Sequence, residues 1–139
     1  MTASNDTKHQ PNRAALYCRV ASSSHQDAQA IFTQRLMLRE FAEQQGFEIV
    51  GEYLESGISG HTLDRPIFMQ MEQAIKASEV DTVIVRCISR ISRNYLLTEK
   101  WRSDLVKQGV KLIAVDGSHM PTLLEIEIAK FFSTNRHLY

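Results

Sequence analysis

Four stretches of strand length and pattern, each separated from the next by a stretch of helical pattern, constrain this chain more than any other feature. They are Ala14–Val20, Phe47–Leu54, Thr82–Ile88 and Val110–Val115. Connections long enough to hold a helix join parallel neighbours, whereas antiparallel neighbours need only a tight turn. The expected fold is therefore α/β and doubly wound: a mainly parallel sheet of about four to five strands with helices on both faces. Ala14–Val20 is apolar apart from Arg19 and Thr82–Ile88 is a β-branched run, as strands covered on both faces require. Phe47–Leu54 alternates instead.

The intervening segments read as helices. From about Asp27 to Gln45, the residues Ala28, Ile31, Leu38, Phe41 and Ala42 share one helical face, with Phe32 and Leu36 beside it, and Gly46 closes the helix. Asp64 and Pro66 mark the next start, with a buried stripe of Phe68, Met71, Ala74 and Ile75. A third helix spans about Tyr95–Gln108 and ends at Gly109. Ser22–Gln26, Glu55–Arg65 and Asp116–Ser118 are rich in turn formers and read as loops. Pro121 opens a last helix carrying Leu123, Leu124, Ile126, Ile128, Phe131 and Phe132, apolar on too many sides for a surface helix. Both a core position and a partner interface fit that pattern. Residues 1–13 are polar and aperiodic and read as a disordered leader, which leaves a domain over 14–120 and the last helix over 121–139.

Charge and composition exclude several classes. The formal net charge is zero, so any polyanion site must be a local gathering of cations. The apolar runs fall well short of the ~20 residues of a membrane span, and the polar start does not look like a signal peptide. Cys18 and Cys87 both fall in expected strands and suggest reduced core thiols in a cytoplasmic protein. The five histidines show no ligand spacing and the strand-end acids are single, so neither a metal nor a cofactor is expected.

In such a fold, ligands bind beyond the C-terminal ends of the strands. The first strand delivers Arg19 and Ser22, Ser23 and Ser24 there. The second delivers Glu55, Ser59 and, after a loop, Arg65; the third delivers Ser89, Arg90, Ser92 and Arg93. Arginine suits bidentate contact with phosphate oxygens. Arg90 and Arg93 are three apart at an expected helix start, whose amides would add anion affinity. Any one of these arginines alone reads as solvated or paired with Glu52, Glu55 or Asp64; four at one edge point to an anion site. Two other chemistries use the same segment. Ser22 and His25 are close in sequence but do not form a triad. Cys87 and Arg93 have the spacing of a phosphatase cysteine loop, but no glycine lies between them and Cys87 reads as a strand residue.

At these residues the chain resembles the catalytic domain of the serine recombinases, the resolvase/invertase family, over about Ala14–Val115 and more weakly into the last helix. Tyr17-Cys18-Arg19-Val20 with a following serine resembles the family's nucleophile strand, and Gln34 a helix glutamine. Tyr53–Gly60 with Asp64-Arg65-Pro66 resembles its second motif, and Ser89–Asn94 its arginine motif. The resemblance implies a resolvase-like fold and a DNA substrate cleaved without metal through a 5′-phosphoserine link. It further implies Arg19, Arg65, Arg90 and Arg93 around the transition state, with Ser59 positioning and Tyr17, Gln26, Gln34 and Glu55 supporting. It implies a homodimer that forms a tetramer at paired DNA sites, with the last helix in the interface.

The chain departs from the family at three points. The family serine follows arginine and valine directly, where this chain has Ala21. A glutamine normally lies four residues after that serine, and Gln26 lies four after Ser22, so one inserted residue at Ala21, expected as a strand-end bulge, makes Ser22 the nucleophile. The alternative is a recombinase fold that no longer cleaves and serves in DNA binding or assembly. Glu55 stands where the family has aspartate, and the sequence runs to Tyr139, where the family usually continues into a long arm and a DNA-binding module; a catalytic fragment and a truncated relative both fit.

Overall fold

The computed structural model of the chain describes residues 12–21, 24–56, 65–117 and 131. Four strands, β1 (Arg13–Val20), β2 (Glu48–Ser56), β3 (Thr82–Val85) and β4 (Lys111–Ala114), form one sheet in the order β2-β1-β3-β4. Every pairing is parallel. The helices are α1 (His25–Gln44), α2 (Pro66–Lys76) and α3 (Tyr95–Lys107), with a 3₁₀ turn at Ile88–Arg90 between β3 and α3. The expected doubly wound α/β architecture is present.

Alternation along β1 separates the two cores. Ala14, Leu16 and Cys18 pack with Ile84 beneath Leu38 and Ala42 of α1. Ala15 and Tyr17 face the other way, with Val83 and Val85, beneath Phe68, Met71 and Ile75 of α2 and Trp101 and Leu105 of α3. Helices thus cover both faces, which is why β1 and β3 are buried along nearly their whole length.

Element ends follow their local chemistry. The Ser24 side chain accepts from the Asp27 amide and caps α1, so α1 begins at His25 rather than in the expected loop. Pro66 takes the first position of α2 and Arg65 its cap. Gly109 has φ +76° at the turn out of α3, a conformation that disfavours any Cβ. The helix expected from Pro121 lies outside the described residues apart from Phe131, as does most of the expected leader.

Three expectations shift. β3 stops at Val85, so Cys87 is half-buried past the strand rather than in its core. Ala28, Phe32 and Leu36 of α1 are exposed, because the buried line runs through Gln34, Leu38 and Ala42. The irregularity in the β1–β2 register falls at Ala14/Ala15; Ala21 sits in a bend beyond the last paired residue, Val20, so no bulge is present at Ala21 among the described residues.

The sheet is fastened at the opposite end by Arg13 and Asp81. Arg13 donates its amide to Asp81 Oδ2 at 2.9 Å, its Nε to the same oxygen at 3.0 Å and its Nη2 to Oδ1 at 3.1 Å. The Asp81 amide returns a bond to the Arg13 carbonyl at 2.8 Å. The side-chain bond from Arg13, helped by its amide and charge and opposed by burial, holds the Asp81 carboxyl below its ordinary value. A lowered carboxyl contributes stability above its unfolded pKa and loses it as pH falls through the folded one. Urea unfolding at pH 7 and pH 3 will therefore show a larger acid loss for the unsubstituted chain than for Asp81→Asn; equal losses would contradict the fastening.

Candidate active site

The strand order sets where a site can form. From β1 the chain goes out to β2, then returns to the other side of β1 as β3, so the C-terminal ends of β1 and β3 flank a topological switch point. The two strands also end unevenly. Their pairing stops at Tyr17 with Val85, while β1 runs on beside β2 as far as Val20 opposite Ser56. Arg19 fills the resulting split. Its Nε donates to the Arg90 carbonyl and its Nη2 to the Ser89 carbonyl, both at 2.9 Å, joining the tip of β1 to the turn after β3. Its amide donates to Gln34 Oε1 at 3.3 Å, so α1 fixes the same tip from behind.

An open groove of about 630 Å³ lies over this split. Arg19 and Val20 line it from β1 and Ala21 from the bend after it; Gln26, Asp27, Gln29, Ala30, Thr33, Gln34 and Met37 from α1; Arg86, Arg90 and Arg93 from the segment after β3. Burial lowers the Arg19 pKa most, followed by the charge of Arg65, with Arg90 and Arg93 adding to the effect and Tyr17 opposing it. Neighbouring guanidinium groups thus disfavour the charged form of Arg19 alongside burial, and a bound anion would offset that repulsion.

Behind the groove is a buried support. The Tyr17 hydroxyl donates to Glu55 Oε1 at 2.5 Å, and Glu55 Oε2 accepts from the Ile67 amide at 3.0 Å, in the first turn of α2. Arg65 pairs its Nε with Glu55 Oε1 at 3.7 Å and donates its Nη2 to the Ile91 carbonyl. Its guanidinium lies over the rings of Phe68 at 4.8 Å and Tyr17 at 5.6 Å. Arg65 Nε and Nη1 and Arg90 Nε are buried without a hydrogen-bond partner among the described residues. Burial and the Glu55 bond push the Tyr17 phenol far above its ordinary value, so it acts as a fixed donor and not as an attacking phenolate.

The expected site residues therefore divide. Arg19, Gln26, Gln34, Arg90 and Arg93 meet in the groove. Tyr17, Glu55 and Arg65 form the support. Ser22 and Ser59 lie outside the described residues. Gln26 was expected in a loop but belongs to the first turn of α1. Arg90 and Arg93 do not share a helix start: Arg90 ends the 3₁₀ turn, and Arg93 precedes Asn94, the cap of α3. The Asn94 side chain accepts from the Leu96 and Leu97 amides at 3.0 and 3.3 Å, which occupies donors expected to serve an anion. Arg86 lines the groove too and is not among the expected site residues; its signal is its place at the strand end, which an expected strand running to Ile88 hides.

The cysteines offer no competing nucleophile. Burial pushes the Cys18 thiol up to about 12. After Cys87, the Arg90 amide donates to the Cys87 carbonyl at 3.1 Å, Ile91 to Ile88 at 3.0 Å and Asn94 to Ser92 Oγ at 2.9 Å. These amides close local turns and do not converge as a phosphatase loop requires. For the support, Tyr17→Phe removes the hydroxyl donor facing a buried carboxylate and should cost about 1–3 kcal/mol. Denaturant midpoints will measure this; a loss within error of zero would show that Glu55 does not depend on Tyr17.

The family model for the resolvase N-terminal domain matches residues 14–133. A resolvase family site-specific recombinase from Streptococcus pneumoniae is 27% identical, superimposes with a TM-score of 0.68, and the match covers 90% of this chain and 88% of that one. The N-terminal catalytic domain of TP901-1 integrase is 24% identical with a TM-score of 0.70, over 91% of this chain and 98% of its own. The C-terminal catalytic domain of ISC1926 TnpA, an IS607-like serine recombinase, is 22% identical with a TM-score of 0.69, over 88% and 79%. The last two likenesses speak to the fold. No curated protein sequence matches the chain. A strand-end arginine groove at the switch point and a family match over most of the sequence agree: the chain belongs to the resolvase N-terminal domain family and is a serine site-specific recombinase catalytic domain, of a class that acts on DNA in oligomeric assemblies.

Proposed function

We propose that the groove takes a DNA phosphodiester and that Ser22 attacks it. The observation that carries this reading is the convergence of Arg19, Arg90 and Arg93 on one open groove whose lining includes Ala21, the residue covalently joined to Ser22. In the proposed reaction, Ser22 Oγ gives up its proton and attacks phosphorus in line with the bond to the 3′ oxygen. That bond breaks and the 3′ oxygen takes up a proton, so that the net transfer is from the serine hydroxyl to a 3′ hydroxyl, with a 5′-phosphoserine left on the chain. Reversal by a 3′ hydroxyl from another strand rejoins DNA without an external energy source, because the phosphate ester is retained.

Charge develops on the non-bridging oxygens during this displacement, and donors already fixed in place stabilise it best. Arg19 meets that requirement through its two carbonyl bonds. Arg90 and Arg93 supply further positive charge, so the reaction needs no metal or cofactor. Gln34 positions the β1 tip, while Glu55, Tyr17 and Arg65 hold the support from which Arg65 reinforces the field. Gln26 and Ser59 position the substrate. We further propose that the chain acts as a homodimer that pairs into a tetramer on two DNA sites, with residues 121–139 contributing to the interface; its place of action is the cytoplasm.

A nicked suicide duplex tests the chemistry, with the chain fused to a sequence-specific DNA-binding module to offset weak binding by the isolated domain. The unsubstituted and Cys87→Ala proteins should form a covalent adduct, Ser22→Ala none, and Arg19→Ala about a hundredth or less of the unsubstituted rate. Absence of an adduct from the unsubstituted protein would favour the non-cleaving alternative raised by Ala21.

A further inference from the structure

The arginines among the described residues fall into two sets. Outside the groove, Arg13 pairs with Asp81, Arg35 and Arg39 with Glu52, Arg65 with Glu55 and Arg102 with Glu99. Arg19, Arg86, Arg90 and Arg93 line the groove, and among the described residues Arg86, Arg90 and Arg93 have no carboxylate within ion-pair distance. The resemblance and the proposed chemistry account for three of these four. They assign nothing to Arg86.

We infer that Arg86 holds a DNA backbone phosphate next to the one that reacts, so that the groove grips the strand at two points. This rests on the reading that the groove takes a DNA phosphodiester. The main chain of Arg86 is anchored: it follows β3 directly, and its carbonyl accepts from the Asp116 amide at 3.1 Å. Its side chain is exposed and makes no hydrogen bond among the described residues. Arg19 contrasts with it, being almost fully buried and held by two carbonyls. A side chain without bracing is poorly preorganised for developing charge, but it can follow and neutralise a ground-state phosphate. Arg86 is thus a positioning residue, acting on where the strand lies in the groove.

Each neutralised phosphate of duplex DNA steepens the dependence of log K on log salt by about 0.9. Removing one contact should therefore weaken binding about eightfold at ~0.1 M salt and flatten the slope by about one. Fluorescence anisotropy of a labelled duplex, titrated with the full chain carrying Ser22→Ala across a salt series, reads both quantities. Adding Arg86→Ala should flatten the slope by about one; adding Arg86→Lys, which keeps the charge, should restore it. An unchanged slope with Arg86→Ala would overturn the assignment, as would a flattened slope that Arg86→Lys does not restore. If Arg90→Ala with Arg93→Ala leaves the slope unchanged, the groove reading fails, whatever Arg86→Ala does.

Discussion

The bond pair from Arg19 to the Ser89 and Arg90 carbonyls is what the rest of the site depends on. β1 outlasts its pairing with β3 and would otherwise leave the β3 side of its tip open. A guanidinium closes that gap because its planar fork can satisfy two carbonyls of a tight turn at once. The same brace places a buried positive charge at the switch point and sets the turn from which Arg90 and Arg93 reach the groove. Fold and electrostatics meet in one side chain.

Beneath it, the Tyr17–Glu55–Arg65 cluster solves a second problem. A buried guanidinium close to Arg19 needs a carboxylate, and a buried carboxylate needs donors. Glu55 receives the Tyr17 hydroxyl and the Ile67 amide, which also satisfies one of the free amides at the start of α2. Phe68 packs edge-on to Tyr17 at 5.5 Å and lies at 5.1 Å from Trp101, so the support is continuous with the core between the sheet and α2 and α3. Arg65 keeps two nitrogens without hydrogen bonds among the described residues, although its Nε is ion-paired with Glu55.

Much of this was legible in the sequence because strand–helix alternation and strand-end arginines are local patterns with few structural solutions. Arg19, Gln34, Arg90 and Arg93 could be placed from spacing and family motifs. The misses came where tertiary context overrides pattern. Thr82–Ile88 is β-branched and apolar enough to continue as a strand, yet the Ile88–Arg90 turn, whose carbonyls Arg19 uses, ends it at Val85. That early end moves Cys87 out of the core and exposes Arg86 at the groove. On α1, Ser24 and Gln34 decide the start and the buried line; a polar residue in a buried stripe is invisible to hydrophobic periodicity. Asn94 could be read as a cap from its residue type, but not that its capping bonds would occupy the amides assigned to an anion.

In the proposed reaction the groove brings a DNA phosphate to the serine one residue past Ala21. Its most direct test is to digest a trapped protein–DNA adduct with trypsin and nuclease and locate the remaining nucleotide by tandem mass spectrometry. The modification is expected in the Val20–Arg35 peptide, on Ser22. A nucleotide on any other residue, Ser23, Ser59 and Cys87 included, would contradict it.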